Sequence, residues 1–274
     1  MLFRSDYNGL KFTDKNGAVC GAEIQKIRKR AECVDCTIIP DLKGECADDC
    51  QMVDYSDQYR QKLASITPQQ ASKKIMVDAG NAIPGIYYPD IYRHFGHEVS
   101  ELFCQLDGNF PNHQPDPEET KNLASLLEAM KTTPVDYGLA FDGDGDRVGI
   151  VLSDGTILPA DKILYILAAD YLDRNPGEKI VMDAMSSAIL VEKIKALGGA
   201  VILSPTGHSY IEENMKKHKA RFGGEQSGHF MFGENFYGHD DACLAGLRFF
   251  SAVENKPQLL TEVTEKWPTM KEYA

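Results

Sequence analysis

The sequence predicts an α/β protein built from repeated α/β domains. Residues 74–102 are typical of a β-α-β unit, with a short apolar strand, a Gly and Asn turn, a helix from about Gly85 to Phe95 and a second strand. The pattern returns at residues 179–204, where Asp183 takes the place of Asp78. Two copies of one unit in a chain of 274 residues indicate two related domains.

The segments around these units are predicted from the same local signals. Before them come a strand-like run at 7–14, a basic helical run, a cysteine-rich loop and a helix at 56–66. Between them, Asp161 is a candidate N-cap for a helix that Pro176 and Gly177 bring to an end. This connecting helix supplies the boundary between the two repeated domains.

These signals divide the chain into four expected segments. The first fits neither repeated unit and is expected to be the C-terminal remnant of another domain, and the join between the repeated domains is placed near residue 172. The last contains one helical turn pattern without a core of its own and is expected to lead towards a further domain. The predicted segments are 1–70, 71–171, 172–256 and 257–274.

Composition and charge limit the functional class. The chain is 43% hydrophobic and 26% charged, which is ordinary for a globular protein. With 29 basic and 41 acidic side chains, its net charge of −12 would repel a nucleic-acid backbone or an anionic membrane. No apolar run reaches the length of a membrane span, and the early residues do not resemble a secretion signal. We therefore expect a soluble, cytoplasmic protein with no nucleic-acid and no membrane partner.

The cysteines leave a metal site open as an alternative. Seven cysteines without a secretion signal favour reduced thiols over a disulfide framework. Cys33 and Cys36 have the two-residue gap of a zinc knuckle, and Cys46 and Cys50 follow at a looser spacing. Thiols scattered through a loop are the simpler interpretation, so zinc remains the alternative.

The run DGDGDR, from Asp142 to Arg147, is the strongest chemical signal. Apolar runs precede and follow it, which predicts a tight loop between two strands. Its two glycines let the backbone turn sharply, so that Asp142, Asp144 and Asp146 converge and need a cation to offset their repulsion. Ligands that are all oxygens favour Mg²⁺ or a similar hard ion. An adjoining arginine suits phosphate recognition beside the metal.

Three other interpretations of this loop are weaker. An EF-hand needs glycine at its sixth position and glutamate at its twelfth, where the chain has Arg147 and Ser153. Polar turn chemistry alone could explain a surface hairpin, but a triple carboxylate beside an arginine favours metal and phosphate. A phosphatase with Asp142 as its nucleophile would be expected to carry a hydroxyl four residues on, where Asp146 stands.

Two further runs suggest sugar and anion binding. GGEQSGH follows a short strand and presents Glu225, Ser227 and His229 at alternate positions, so that the three can point the same way. A carboxylate, a hydroxyl and an imidazole match vicinal sugar hydroxyls, although an ordinary polar loop explains this run equally well. In PTGHSYIEENM, His208 stands where a helix begins, and helix N–H groups can hold an anion. By itself His208 is more often a cap or a surface residue.

Taken together, DGDGDR, TGHS and GEQSGH on repeated α/β units resemble the α-D-phosphohexomutase family. The runs at 77–85 and 107–117 are similar to the same family, particularly to its bacterial phosphomannomutase/phosphoglucomutase type. The resemblance therefore covers nearly the whole chain. It implies α/β domains with mixed sheets, equivalent to the family's metal-binding second domain and sugar-binding third domain, plus the remnant of a first domain.

The resemblance also implies a metal and two catalytic residues. Mg²⁺ would be the cofactor, and its ligands would be Asp142, Asp144 and Asp146. Arg147 would lie near the phosphoserine of the family. Lys11 resembles a lysine that is a candidate general acid or base.

The substrate-binding residues come from the same resemblance. Glu225, Ser227 and His229 would bind the sugar hydroxyls, and His208 would help to place the substrate. The partners would be hexose phosphates, namely mannose or glucose 1- and 6-phosphate. The family's reaction moves a phosphoryl group between O6 and O1 through a bisphosphorylated sugar that reorients in the site.

Departures from the family predict a fragment that is cut at both ends. The family's phosphoserine begins a run like SHNPxDYNGxK, and Met1 stands at that position before Lys11. The phosphate-gripping fourth domain would begin about where Ala274 ends. We therefore expect no turnover by this chain alone. A non-catalytic module that binds Mg²⁺ and sugar phosphate is the alternative. The preferred sugar also stays open, because Gln226 gives its loop a resemblance to the corresponding loop of phosphoglucosamine mutase.

Overall fold

Two mixed β-sheets and a short hairpin form the framework of the molecule, which a computed structural model describes at residues 12–14, 17–19, 21–34 and 53–267. The hairpin pairs β1 (Thr13–Asp14) with β2 (Gly17–Ala18). The first sheet contains β3 (Lys74–Asp78), β4 (Glu98–Leu102), β5 (Tyr137–Phe141), β6 (Val148–Leu152) and β7 (Ile157–Leu158). The second sheet contains β8 (Lys179–Asp183), β9 (Ala200–Ser204), β10 (Phe222–Gly224) and β11 (Phe230–Phe232).

Helices connect the strands and cover both sheets. The helices are α1 (Gly21–Glu32), α2 (Ser56–Ile66), α3 (Pro84–His94), α4 (Ala124–Thr132), α5 (Ala160–Arg174), α6 (Ala188–Ala196), α7 (His208–His218), α8 (Ala242–Asn255) and α9 (Gln258–Thr261). A 3₁₀ turn at Thr120–Leu123 precedes α4, and a π turn at Glu262–Lys266 follows α9. Within the described ranges, none of these helices is long and apolar enough to cross a bilayer.

The two sheets share one strand order, which confirms the predicted α/β repeat with mixed sheets. The first sheet runs β4-β3-β5-β6-β7, and the second runs β9-β8-β10-β11. In each, three parallel strands are followed by antiparallel pairing, of β6 with β5 and of β11 with β10. Parallel neighbours need a crossover, and the helices between the strands supply it.

Alternating strand residues explain the layered packing. In β3, Ile75 and Val77 enter the largest core cluster, while Met76 enters a smaller cluster beneath α4. The pattern repeats in β8, where Ile180 and Met182 join the largest cluster. Val181, between them, lies in a third cluster beneath α7. Successive strand side chains point to opposite faces, so each sheet buries both faces under helices.

Two helices join the sheets into one body. Buried side chains of α5 and α8 belong to the same cluster as inward residues of both sheets. Residue 172, where the domain join is predicted, lies inside α5, and the helix runs continuously across it. The division into domains stays a prediction, but the two repeated units share the largest of the three apolar clusters formed by the described residues.

Element boundaries follow the predictions with one correction. The helix at 56–66 is confirmed, and the helix predicted from about Gly85 begins one residue earlier because Pro84 suits the first helical turn. Asp161 as an N-cap is wrong. Helix α5 begins at Ala160, and the buried Asp161 carboxylate instead accepts a hydrogen bond from the N–H of Ser187 at 3.0 Å.

Part of the N-terminal segment lies outside the described residues. This applies to Lys11, Cys20, Cys36, Cys46 and Cys50, so the zinc alternative stays untested. Cys33 is described and has an exposed free thiol.

His97 is a buried histidine that directly precedes β4, an edge strand of the first sheet. Its side chain lies against Phe250, with ring centroids 5.3 Å apart, and its Nδ1 accepts a hydrogen bond from the N–H of Lys73 at 3.2 Å. Burial, reinforced by the nearby Lys73 charge, lowers the pKa of His97 from 6.5 to about 4. The folded protein therefore holds this ring neutral at pH values where the unfolded chain protonates it.

We expect His97 to make the protein less stable in acid. The stabilisation is complete above pH 6.5 and is lost as the pH falls towards about 4, since only the unfolded chain gains the proton in that window. Between pH 7 and pH 4, the wild type should lose about 3 kcal/mol more unfolding free energy than His97→Asn. Urea titrations measure this, with the exposed His94→Asn as the control. Equal losses in wild type and His97→Asn would contradict the assignment.

Candidate functional site

The metal loop, Asp142 to Arg147, is built around the carboxylate of Asp142. This residue directly follows β5 and is only 2% exposed. Its Oδ1 accepts hydrogen bonds from the N–H groups of Gly145, Asp146 and Arg147, at 3.1, 3.0 and 3.0 Å. Its Oδ2 accepts a hydrogen bond from Nε of Arg147 at 2.9 Å. With both oxygens engaged, Asp142 is a poor nucleophile, which weakens the phosphatase interpretation.

Gly145 is required by both conformation and space. Its φ of +79° lies in the left-handed region, where side chains are disfavoured. A Cβ at this position would lie 2.6 Å from the hydroxyl oxygen of Tyr88. That hydroxyl donates a hydrogen bond to the carbonyl of Gly145 at 2.6 Å, and the N–H of Ala242 reaches the same carbonyl at 3.4 Å. Helices α3 and α8 therefore fix the tip of the metal loop.

The three loop carboxylates fit a hard divalent cation. One oxygen from each of Asp142, Asp144 and Asp146 lies within 4.8 Å of the other two. Oxygens that surround Mg²⁺ at its usual bond length are about 3 to 4 Å apart, so small side-chain movements would complete such a set. Burial first, and then repulsion from Asp146, raises the pKa of Asp142 above its ordinary value. A bound cation would relieve this repulsion.

Arg147 is held by carboxylates on two sides. Its Nε bonds to Asp142 on one side. On the other side, its Nη1 lies 2.9 Å from Oδ1 of Asp116 and 3.5 Å from a carboxylate oxygen of Glu118. Arg147 is 7% exposed and is the last residue of the metal loop. A cation fixed by two planar partners can face an anionic group with little loss of side-chain entropy.

Sequence reasoning did not single out the residues that support Arg147. Asp116 belongs to the run at 107–117, as does His113, whose Nε2 lies 3.1 Å from both carboxylate oxygens of the buried Asp78. Burial opposes a charge on His113, but the hydrogen bond to Asp78 outweighs it and raises the pKa of His113. In the sequence this run stands out only by its resemblance to the family, because no local spacing links it to Arg147.

The sugar loop, Gly223 to His229, brings its three predicted residues together. Ser227 Oγ lies 2.8 Å from Nδ1 of His229 and donates a hydrogen bond to Oε2 of Glu225 at 3.2 Å. Nδ1 of His229 also lies 3.1 Å from Oε2 of Glu225. Glu225 is 2% exposed, and its Oε1 accepts a hydrogen bond from the N–H of Gly207, the residue before α7. The anion at this helix start is therefore the protein's own carboxylate.

His229 connects the sugar loop to the metal loop. Its Nε2 lies 3.3 Å from Oδ1 of Asp146 and 3.8 Å from Oδ2 of Asp240. Burial disfavours a charged ring, but hydrogen bonds to Asp146 and Glu225 outweigh it and raise the pKa of His229 to about 10. The ring of His208 lies 5.4 Å from that of His229. The structure thus gathers every predicted site residue except Lys11, which lies outside the described residues.

Family models match both repeated units of the chain. Residues 53–155 match the family model "Phosphoglucomutase/phosphomannomutase, alpha/beta/alpha domain II", and residues 159–270 match "alpha/beta/alpha domain III" of the same family. The chain belongs to the phosphoglucomutase/phosphomannomutase family. The metal loop lies in the part that matches domain II, and the sugar loop lies in the part that matches domain III.

Relatives in this family are longer than the chain. A phosphoglucomutase of Neisseria meningitidis is 39% identical over 267 residues, which are 96% of this chain and 57% of that protein. A phosphomannomutase/phosphoglucomutase of Pseudomonas putida is 36% identical over 96% of this chain and 56% of its own length. The crystal structure of a family member from Burkholderia thailandensis is 32% identical, with a TM-score of 0.81, over 92% of this chain and 54% of that one. The chain thus spans little more than half of these relatives.

Replacing Gly145 should disturb the metal loop more than a glycine elsewhere. Gly145→Ala adds a clash with the Tyr88 hydroxyl to the strain of a positive φ. Gly155→Ala is the matched control, because its φ is +86° and its Cβ would meet only Leu127, at 3.8 Å. Each variant should lose about 1 kcal/mol of unfolding free energy to backbone strain. Only Gly145→Ala should also weaken Mg²⁺ binding in calorimetry, and unchanged Mg²⁺ affinity in that variant would contradict the role of Tyr88.

Removing one loop carboxylate should abolish most metal binding. Asp144→Asn removes a charged oxygen ligand, so Mn²⁺ affinity, followed by electron paramagnetic resonance as a stand-in for Mg²⁺, should fall at least about tenfold. Asp154→Asn is the control, because its carboxylate caps the neighbouring turn by accepting the N–H of Thr156 at 2.9 Å. Equal affinities in the two variants would show that the ion binds elsewhere.

Proposed function

We propose that the chain supplies the metal loop and the sugar loop of a hexose phosphate mutase, which interconverts hexose 6-phosphates and hexose 1-phosphates. The observation that carries the proposal is the contact between His229 and Asp146, at 3.3 Å. It joins a carboxylate cluster suited to a divalent cation with a loop suited to sugar hydroxyls. The names of the Neisseria and Pseudomonas relatives support glucose and mannose phosphates as substrates.

The proposed sugar contacts follow from charge and donor type. Glu225 offers acceptor oxygens, and its hydrogen bonds to Ser227, His229 and Gly207 fix their direction. The charged ring of His229 can donate from Nε2, and His208 adds a second imidazole beside it. A pair of adjacent sugar hydroxyls therefore finds both a donor and an acceptor on rigid supports.

Phosphoryl transfer needs positive charge near the sugar. Asp142, Asp144 and Asp146 would hold Mg²⁺, which supplies charge that offsets the transferring phosphoryl group. Arg147 adds a permanent positive charge whose orientation is set by Asp142 and Asp116. Lys11 keeps its proposed role as a general acid or base.

The domain division and the location belong to the same proposal. We assign 71–171 to the metal-binding domain, 172–256 to the sugar-binding domain, 1–70 to part of a phosphoserine domain and 257–274 to a linker. Residues 6–11 match the end of the family's phosphoserine run, but residues 1–4 read MLFR where that run has SHNP, so turnover should need a phosphoserine that these 274 residues do not supply. A cytoplasmic location fits a soluble sugar phosphate as the substrate.

Sugar phosphate binding tests the proposal without requiring turnover. With saturating Mg²⁺, glucose 1-phosphate and mannose 1-phosphate should bind in calorimetry, and Glu225→Gln should weaken the binding by about 10- to 100-fold, as expected for lost charged hydrogen bonds. Glu192→Gln, an exposed carboxylate on α6, is the matched control. A coupled mutase assay on the same samples should show no turnover. Equal affinities in both variants would rule out the sugar loop, whereas turnover would show that another group replaces the phosphoserine.

A further inference from the structure

We propose that His208, His229 and Asp240 form a second cation site, which binds Zn²⁺ beside the metal loop. One ligand atom from each of these residues lies within 4.8 Å of the other two. Nε2 of His229 lies 3.8 Å from Oδ2 of Asp240, and the two imidazole rings are 5.4 Å apart. Zinc binds imidazole nitrogen and carboxylate oxygen at about 2.0 to 2.2 Å in a tetrahedron, so the three groups need to close by roughly an ångström.

The surroundings of His229 suit metal coordination. Its Nδ1 lies 3.1 Å from the buried carboxylate of Glu225 and 2.8 Å from the hydroxyl of Ser227, while Nε2 faces Asp240 and Asp146. A histidine that ligates a metal through one nitrogen usually donates from the other to a carboxylate, which fixes the ring and strengthens the ligand. Glu225 provides this support. Only a deprotonated nitrogen can ligate a metal, so Zn²⁺ takes the place of the proton that Nε2 of His229 carries when the ring is charged, and that proton is released to solvent.

The three ligands also rest on fixed backbone. His208 is the first residue of α7. The residue before it, Gly207, donates a hydrogen bond from its N–H to the carboxylate of Glu225. Asp240 forms a bridge with Met231 in β11 and directly precedes Asp241, the N-cap of α8. A site assembled from the ends of ordered elements loses little entropy when the ion arrives.

Ligand chemistry separates this site from the metal loop. Two imidazoles and one carboxylate select zinc-like cations, whereas the oxygen-only set of Asp142, Asp144 and Asp146 favours Mg²⁺. The two sites adjoin, because His229 contacts Asp146. On the proposed function, His208 and His229 also bind the sugar, so Zn²⁺ and sugar phosphate should exclude one another.

Calorimetric titration of Zn²⁺ into the chain, with saturating Mg²⁺ and alkylated thiols, tests the site. His208→Ala and Asp240→Asn should each bind Zn²⁺ about 100-fold more weakly or worse, beyond the effect of losing a supporting group. His218→Ala is the matched control, since this histidine lies at the other end of the same helix, about 15 Å away. Thermal melts followed by circular dichroism check that each variant is folded. Because two ligand variants are tested, the result does not depend on one that misfolds. Wild-type affinity in both would overturn the proposal.

Anomalous diffraction from crystals soaked in Zn²⁺ gives the position of the ion. A peak among the three side chains is expected, and a peak at the metal loop alone would overturn the proposal. The titrations contain no sugar, so they also separate the two hypotheses. If Zn²⁺ binding depends on His208 and Asp240 but glucose 1-phosphate does not compete, the zinc site stands and the proposed sugar site fails.

Discussion

The candidate site depends on the hydrogen bonds that the buried carboxylate of Asp142 accepts. Taking a carboxylate out of water costs several kcal/mol unless its lone pairs are satisfied. Three N–H groups of its own loop and the guanidinium of Arg147 satisfy them, and this is possible only when the loop closes tightly. The same closure brings Asp144 and Asp146 together and turns Arg147 towards Asp116. One buried charge therefore sets both the cation site and the arginine.

The repeated aspartates perform the same task in the two sheets. Asp78 and Asp183 each end a central parallel strand, and each is 1% exposed. Asp78 contacts His113 and so holds the run that contains Asp116. Asp183 holds the sugar loop, because its Oδ1 accepts a hydrogen bond from the N–H of Gln226 at 3.4 Å. In both units, a buried carboxylate anchors a neighbouring loop: the run at 107–117 that supports Arg147 in one unit, and the sugar loop in the other. The two loops differ in chemistry, yet their supports come from one repeated design.

The sequence predicted what local rules control. Apolar runs on either side of DGDGDR indicated a loop between strands, and the alternate spacing of Glu225, Ser227 and His229 indicated that they converge. It could not predict the contact of Asp116 with Arg147, which joins residues 31 positions apart, because no periodicity links them. Asp161 shows the opposite case, in which a local rule predicted a contact that does not form. The sequence fits a helix N-cap there, but the carboxylate accepts a hydrogen bond from the N–H of Ser187, 26 positions away. Tertiary contacts decide such cases.

The fixed frame also constrains how the proposed reaction would proceed. The metal loop and the sugar loop are joined by a bridge between Arg147 and His229, and the N–H of Ala242 on α8 holds the carbonyl of Gly145. Helix α8 is buried along its length in the core that both sheets share. Moving one loop past the other would break these bonds and expose that core, at a cost of several kcal/mol. A bisphosphorylated sugar that must present first one end and then the other to the same cation would therefore have to turn itself, while the loops of these two units keep their positions.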